Sequence, residues 1–458
     1  MKTRLFSFVS VVCLLLCLQA QGQTYFNYAF GGLNIPATNP SFSIIRTVDP
    51  QRAIAYYVVG GATHFLSRVG MDAYVYEAKL GENIKVSDIR VVGDDVFFCG
   101  QNTATQRAII GHARVPDIEG MNLHIRYFEV EPLPLPLTRT SSTMKRLAAY
   151  IDATGNVRVV AIGEFIYSSL STGLPSWLSC PNISGCRAYF AVEYTYMGGV
   201  WTSINSKFIC DNSRYEHADD VVVTDNWVAI VSTYPARDEM IIHRCDRNNV
   251  LNSFDNYFGY VVPYQEGIYT CCHMKGDTIA MVARYSTLGT APYEARMRTV
   301  DLATMTMTSS QSYVLLYKTD PIEIVYLPNN ATLVMLMQQM FPSSVSHYAF
   351  VYWKPYIPSS YVADVIYDYN DYLFNSVDRL TPKHFVAAGG DYWAEKDVSF
   401  NDPTSTCYVI AQQQISQLNV LSYVESNYNY YSYKPTINLI AVNEVYNRRF
   451  IQSPCTTN

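Results

Sequence analysis

Short extended runs, each followed by a turn and then a nearly unbroken apolar run, recur along this chain. The turns stand inside VDPQRAIAYYVVG, VGDDVFFCG, DATGNVRVVAIGE, VTDNWVAIVS, MKGDTIAMVAR, LPNNATLVMLM and LTPKHFVAAGG. The runs before them read FSIIRTV, SDIRVV, KRLAAYI, ADDVVV, YTCCHM, IEIVYL and DRLT. Asp, Asn, Gly and Pro at the junctions suit hairpin turns. The apolar runs after the turns read as strands covered on both faces. A third set alternates more, as half-exposed strands do: DAYVYEAKL, QRAIIGHARV, CRAYFAVEY, EMIIHRCDR, EARMRTVDL, SHYAFVYWK and STCYVIAQQ. WTSINSKF and QSYVLLYK supply examples of a fourth.

The pattern predicts an all-β chain of four-stranded antiparallel units, named A to D from the inside out. Repeats roughly 45–70 residues apart match propeller blades with loop insertions. We expect one β-propeller of seven blades, with six or eight as alternatives. Helical periodicity is nearly absent, and only Ala411 to Val420 is predicted as a short helix. The early segment FNYAFGGLNIPATNPSFS reads as irregular. The tail KPTINLIAVNEVYNRRF reads as a strand that closes the ring on the first or last blade. A string of β-sandwiches would need linkers about every hundred residues. The proline-rich EPLPLPLT, Glu131 to Thr138, suits an extended connection between blades better.

Length agrees with a radial array. A single core rarely serves 458 residues, but blades pack only on their neighbours. Charged residues make up 16%, which argues against disorder, and 38 tyrosines suit pleated surfaces. The formal charge is −6 and no basic run exists, so no nucleic-acid partner is expected.

The N-terminus has the form of an export signal. Lys2 and Arg4 precede an apolar stretch from Phe6 to Leu18, and Ala20 and Gly22 suit cleavage before Gln23. Residues 1–22 are read as a signal peptide and 23–458 as the propeller domain. No later stretch is apolar enough for a transmembrane helix, so an exported protein without a membrane span is expected, periplasmic, surface-bound or extracellular. Of 11 cysteines, Cys13 and Cys17 leave with the signal. Cys180 and Cys186, flanking Pro-Asn-Ile-Ser-Gly, are the best candidates for a disulfide. No CxxC pair or His–Cys spacing predicts a metal site.

The repeat resembles β-propellers at large, without the sequence signatures of the WD or Kelch families. The exported, tyrosine-rich chain is similar to propellers of unassigned function that bacteria such as Bacteroidetes export. That resemblance implies an architecture and no activity.

Hairpin geometry suggests where a site would lie. The starts of the A strands and the ends of the B strands gather at one end of the ring, around a channel mouth. Polar candidates there include Asp88, Lys145, Arg146, Asp220, Glu323 and Asp378. The favoured ligand-binding set is Glu164, His217, Asp219, Arg284, Tyr285, Arg379, Asp391 and Trp393. In EHADD, strand alternation puts His217 and Asp219 on one face and turns Asp220 towards a neighbouring blade. GGDYWAEKD reads as a loop in which an aromatic ring and carboxylates could hold a sugar. For each residue the bland reading is a solvated strand end.

No GxSxG, HExxH, P-loop or dinucleotide fingerprint occurs, and no cofactor is implied. Two functions are weighed, beside a third, a structural part of an envelope complex. One is a monomeric binding module for a protein, peptide or glycan. The other is a polysaccharide-active enzyme, a hydrolase using a carboxylate pair such as Glu164, Asp219 or Asp391, or a lyase using Tyr285 and Arg284.

Overall fold

The computed structural model describes residues 25–29, 41–59, 62–69, 74–119, 125–131, 133, 137–176, 178, 180, 182–183, 185–209, 217–234, 239–251, 256–261, 266–286, 293–315, 319–327, 332–340, 346–353, 361–368, 375–382, 384–389, 392–397, 408–418, 421, 423–427, 430–433, 436–442, 444–449 and 451–452. The repeating pattern becomes antiparallel meanders, and the fold is a β-propeller. The innermost strands are Ser41–Asp49, Ile84–Val92, Ser141–Ile151, His217–Val223, Glu266–Lys275, Thr319–Leu327 and Ser376–Arg379. Each neighbours the next in chain order, and Ser376–Arg379 returns to Ser41–Asp49, so the inner strands form a closed cycle.

Packing follows from the apolar second strands. Val96 to Cys99, Val159 to Ile162 and Val228 to Val231 are fully buried. Their two faces enter different cores. Phe97 and Val159 join a cluster between the second and third meanders, while Phe98 and Ile54 join one between the first and second. Burying each such side chain stabilises by about 1.5–3 kcal/mol, so the contacts between sheets hold the ring.

Several details depart from the sequence reading. Tyr74–Gly81 is the outermost strand of the first meander, because Ala62–Val69 already takes the third place. Tyr25–Ala29, read as irregular, is a strand paired with Tyr392–Asp397. The latter stretch, read as a loop, is the third strand of its meander. The residues predicted as a helix at 411–420 belong instead, as far as Gln417, to strand Tyr408–Gln417. A short helix forms at Val115–Glu119, with Val115 and Ile118 buried.

The C-terminal segment does more than close one blade. Tyr408–Gln417 pairs with the outer strands Thr306–Leu315 and Tyr361–Asp368, which merges two meanders into a nine-stranded sheet. Tyr423–Asn427 then adds to Asn256–Val261, Tyr430–Tyr433 to Val200–Ile209, and Thr436–Val442 to Ile125–Glu131. Glu444–Arg449 adds to Tyr74–Gly81, and Ile451–Gln452 to Tyr25–Ala29. This segment is a hoop that runs round the ring against chain order and caps the outer edge of every sheet.

A bulge recurs in the inner strands. Register shifts fall between Phe42 and Ile44, Val86 and Asp88, Met144 and Arg146, Ala218 and Asp220, Gly267 and Thr270, and Pro321 and Glu323. A bulge re-aims the side chains that follow it. Two bulges face a glycine, because Gly100 pairs with Val86 and Gly163 with Met144. A Cβ on Gly100 would lie 1.9 Å from the Lys85 carbonyl oxygen. Gly100→Ala should therefore cost at least about 1–3 kcal/mol, the range for overpacking. Chemical denaturation would show this, and an unchanged midpoint would contradict the tight bulge.

Cys180 and Cys186 form the expected disulfide, with Cα atoms 5.8 Å apart. Among the described residues no helix is long and apolar enough to cross a membrane.

Candidate functional site

The inner strands enclose a cavity of about 280 Å³ on the ring axis. Every inner strand contributes to its wall, from Arg46 and Thr47 on the first to Val377 and Asp378 on the last. On the other strands the lining begins with the residue just after the bulge, or two beyond it, and runs towards the turn that follows. The cavity thus lies at the end where inner strands finish. Hairpin geometry alone points to the opposite end, where they begin.

Two layers of side chains shape it. The floor carries Arg146, Asp220, Thr270 and Glu323, each the first residue past a bulge. Two residues on, alternation returns the strand to the same face. There stand Arg90, Ala148, Val222, Cys272 and Val325, with Arg46 and Asp378 completing the circle.

The acids at and around the floor are fasteners between neighbouring strands. Asp88 accepts the Ile89 amide at 2.9 Å and, across to the next inner strand, the Leu147 amide at 3.1 Å. Asp220 repeats the arrangement with Val221 at 2.9 Å and Cys271 at 2.8 Å. Glu323 accepts Val377 N–H at 2.9 Å, and Ser376 Oγ accepts Ile45 N–H at 3.1 Å. Asp378 accepts Arg379 N–H at 2.8 Å and Thr47 N–H at 2.7 Å. Each of these carboxylates has both oxygens engaged.

Arg46 ties the closure of the ring. Its guanidinium donates to Asp88 at 3.0 Å, Glu323 at 2.6 Å, Ser376 Oγ at 2.9 Å, and the carbonyls of Ile45 at 2.7 Å and Ile89 at 3.0 Å. Burial opposes its charge, but Glu323, Asp88 and Asp378 outweigh that and hold its pKa above the ordinary value. Burial alone would push the Asp88 carboxyl up; Arg90, Arg46 and Arg146 reverse this and hold it below the usual carboxylate range. At Asp220 burial wins over Arg146 and Arg90, so its pKa is raised. Asp378 is likewise raised by burial, only partly offset by Arg46.

Of the residues favoured from sequence whose side chains are described, Glu164, Asp219, Arg284, Tyr285 and Arg379, none lines this cavity. Glu164 is buried at the far end of its strand, paired with Lys145 and hydrogen-bonded by Tyr189 OH at 3.1 Å. Asp219 is the bulge residue itself; it accepts from Thr233 Oγ1 and from Tyr269 N–H at 3.2 Å. Arg284 and Tyr285 end their strand at that same far end, with the Arg296 guanidinium 3.5 Å over the Tyr285 ring. His217 pairs through its backbone with Thr233, and Trp393 with Tyr28 and Ala388. Arg379 is exposed where its inner strand finishes, at the cavity's end of the ring. Asp391 lies outside the described residues.

Of the wider polar set, Arg146, Asp220, Glu323 and Asp378 do meet at the cavity, and Asp88 lies behind its floor. Arg46 and Arg90 were missed. Arg90 had a signal, standing two positions after Asp88 and so on its face, whereas the place of Arg46 depends on the bulge between Phe42 and Ile44. No group of three or more His, Cys, Asp or Glu residues among those described could hold a metal ion.

No protein-family model and no curated protein matches the chain. Solved structures do. "YCF48 bound to D1 peptide" is 10% identical with a TM-score of 0.40, over 82% of this chain and 97% of that one. YCF48 from Cyanidioschyzon merolae is 9% identical with a TM-score of 0.31, over 83% of this chain and 100% of that one. Oligopeptidase B from Leishmania major is 11% identical with a TM-score of 0.18, over 70% of this chain and 54% of that one. At such low identities and scores these likenesses assign this chain neither a family nor an activity.

Proposed function

We propose that the chain is an exported, seven-bladed binding propeller that admits part of a protein, peptide or glycan partner into its axial cavity. The observation that carries this reading is the state of the cavity's acids. A general acid or base must be able to exchange a proton with substrate. Here both oxygens of Asp220 and of Asp378 already accept backbone amides, and Glu323 is shared between Arg46 and Val377. Such carboxylates hold a ring together and are poorly placed to cleave a sugar bond. A concave site with a few fixed polar groups beside apolar wall suits binding. Arg379, exposed at the same end of the ring, would meet the part of the partner left outside. Arg284 and Tyr285 lie at the opposite end and would serve a separate contact surface.

A fragment screen by ligand-observed NMR on the mature chain tests this. Hits should compete for one site and be lost in Ala148→Trp, which fills the cavity. Release of reducing ends from a polysaccharide, abolished by Asp220→Asn in a folded variant, would overturn the reading in favour of an enzyme.

A further inference from the structure

We infer that the cavity takes a carboxylate borne on a short aliphatic group, with the carboxylate on Arg146 and the aliphatic part above it; this rests on the binding reading above. The acceptors around the floor are occupied, as are the donors of Arg46. Arg146 differs. It is partly exposed and faces the cavity, yet makes no hydrogen bond or ion pair within 4.0 Å to any described residue. Asp220, Asp88 and Glu323 act on it only through their fields. A guanidinium has five N–H donors in a planar fork. On Arg146 they open on the cavity and are not taken by the described neighbouring side chains, so they are available to a ligand there. A guanidinium so placed recognises an acceptor, and a carboxylate matches the fork in both shape and charge.

The second layer supplies the other half of the ligand. It is divided into two arcs. Asp378, Arg46 and Arg90 form a charged arc, and Ala148, Val222, Cys272 and Val325 form an apolar one. Burial pushes the Cys272 thiol up, which keeps it neutral within that arc. Ala148 stands two residues after Arg146 on the same strand, so the apolar arc begins directly above the guanidinium. A ligand entering from the turn end would arrive acid first and leave its aliphatic part against these side chains. The volume, about 280 Å³, lies at the low end for ligand pockets and fits one small residue or a short acid. The nearby acids weaken the gain for an anion, although the raised Asp220 carboxyl more readily takes a proton when one arrives. Affinity on the order of 0.1–1 mM for a small probe follows from so few contacts.

Two sources share this chemistry, a free short-chain acid and the C-terminus of a peptide. Calorimetric titration of the mature chain with isovalerate, a tetrapeptide ending in a free valine carboxylate, and the same tetrapeptide as its amide separates them. Both acids should bind, with the amide at least about tenfold weaker. A peptide tighter than isovalerate points to a chain terminus; the reverse points to a free acid. Arg146→Lys keeps the charge but loses the fork and should weaken both acids about tenfold. Val325→Phe, which leaves every charge in place, should abolish binding. Thermal melts confirm that each variant is folded. Equal binding of acid and amide, or acid binding unchanged in both variants, overturns the inference. A crystal soak in which a neutral or cationic fragment fills the cavity and isovalerate does not also overturns it, while sparing the binding reading. A cavity that no probe enters overturns both.

Discussion

Replacing Arg46 with methionine is expected to destabilise the fold by about 3–5 kcal/mol, the cost of leaving buried charges without their partner. The size follows from what the side chain holds. Asp88 is fully buried, and Glu323 is mostly so. Both would lose their nearest cation, Asp88 keeping Arg90 at 3.3 Å. The carbonyls of Ile45 and Ile89 would lose a donor, and so would Ser376. These partners lie on four consecutive stations of the closed cycle, on either side of the point where the last inner strand meets the first. Urea denaturation would measure the loss. Adding Asp88→Asn and Glu323→Gln should recover part of it, because a buried pair removed whole costs less than one broken. A loss below about 1 kcal/mol in the single variant would show that the network is solvated and that the closure lies elsewhere.

Ending the chain after residue 405 is the second large change, since it removes the hoop from the outer edge of every sheet. Each sheet would present a row of unpaired N–H and C=O groups, the feature that drives edge-to-edge association. Ladder hydrogen bonds contribute a net of about 0.5–1.5 kcal/mol each. The hoop makes enough of them for their sum to rival the whole stability of an ordinary domain, about 5–15 kcal/mol. The shortened chain should melt well below the full one and elute as larger species in size-exclusion chromatography. Residues 406–455 added as a separate peptide should reverse both effects by strand addition. A shortened chain with unchanged size and melting temperature would mean that the outer pairing contributes little.

The meanders were legible because turn residues and apolar second strands are local signals, and burial between sheets imposes them at every repeat. The hoop was not. Tyr408–Gln417 was divided in the sequence reading between a third strand and a helix, because an added outer strand needs only backbone pairing and leaves a weak side-chain pattern. The site was half legible. Asp88, Arg146, Asp220, Glu323 and Asp378 stood in the polar set, but strict alternation was applied across Ala218 to Asp220, where the structure has a bulge. Asp220 therefore lines the cavity while also reaching the Cys271 amide of the next strand. An irregularity of one residue decides which side chains share a face, and nothing in EHADD announces it.

The pairing of Tyr25–Ala29 with Tyr392–Asp397 carries a consequence for biosynthesis. This first described strand has no place to dock until about 370 further residues have followed, a wait of about 20–70 s at ordinary elongation rates. Until then its edges and the flank of the first sheet stay open to other chains. A nascent chain that stalls shortly before residue 392 should therefore need chaperone protection far more than one that stalls at the very end.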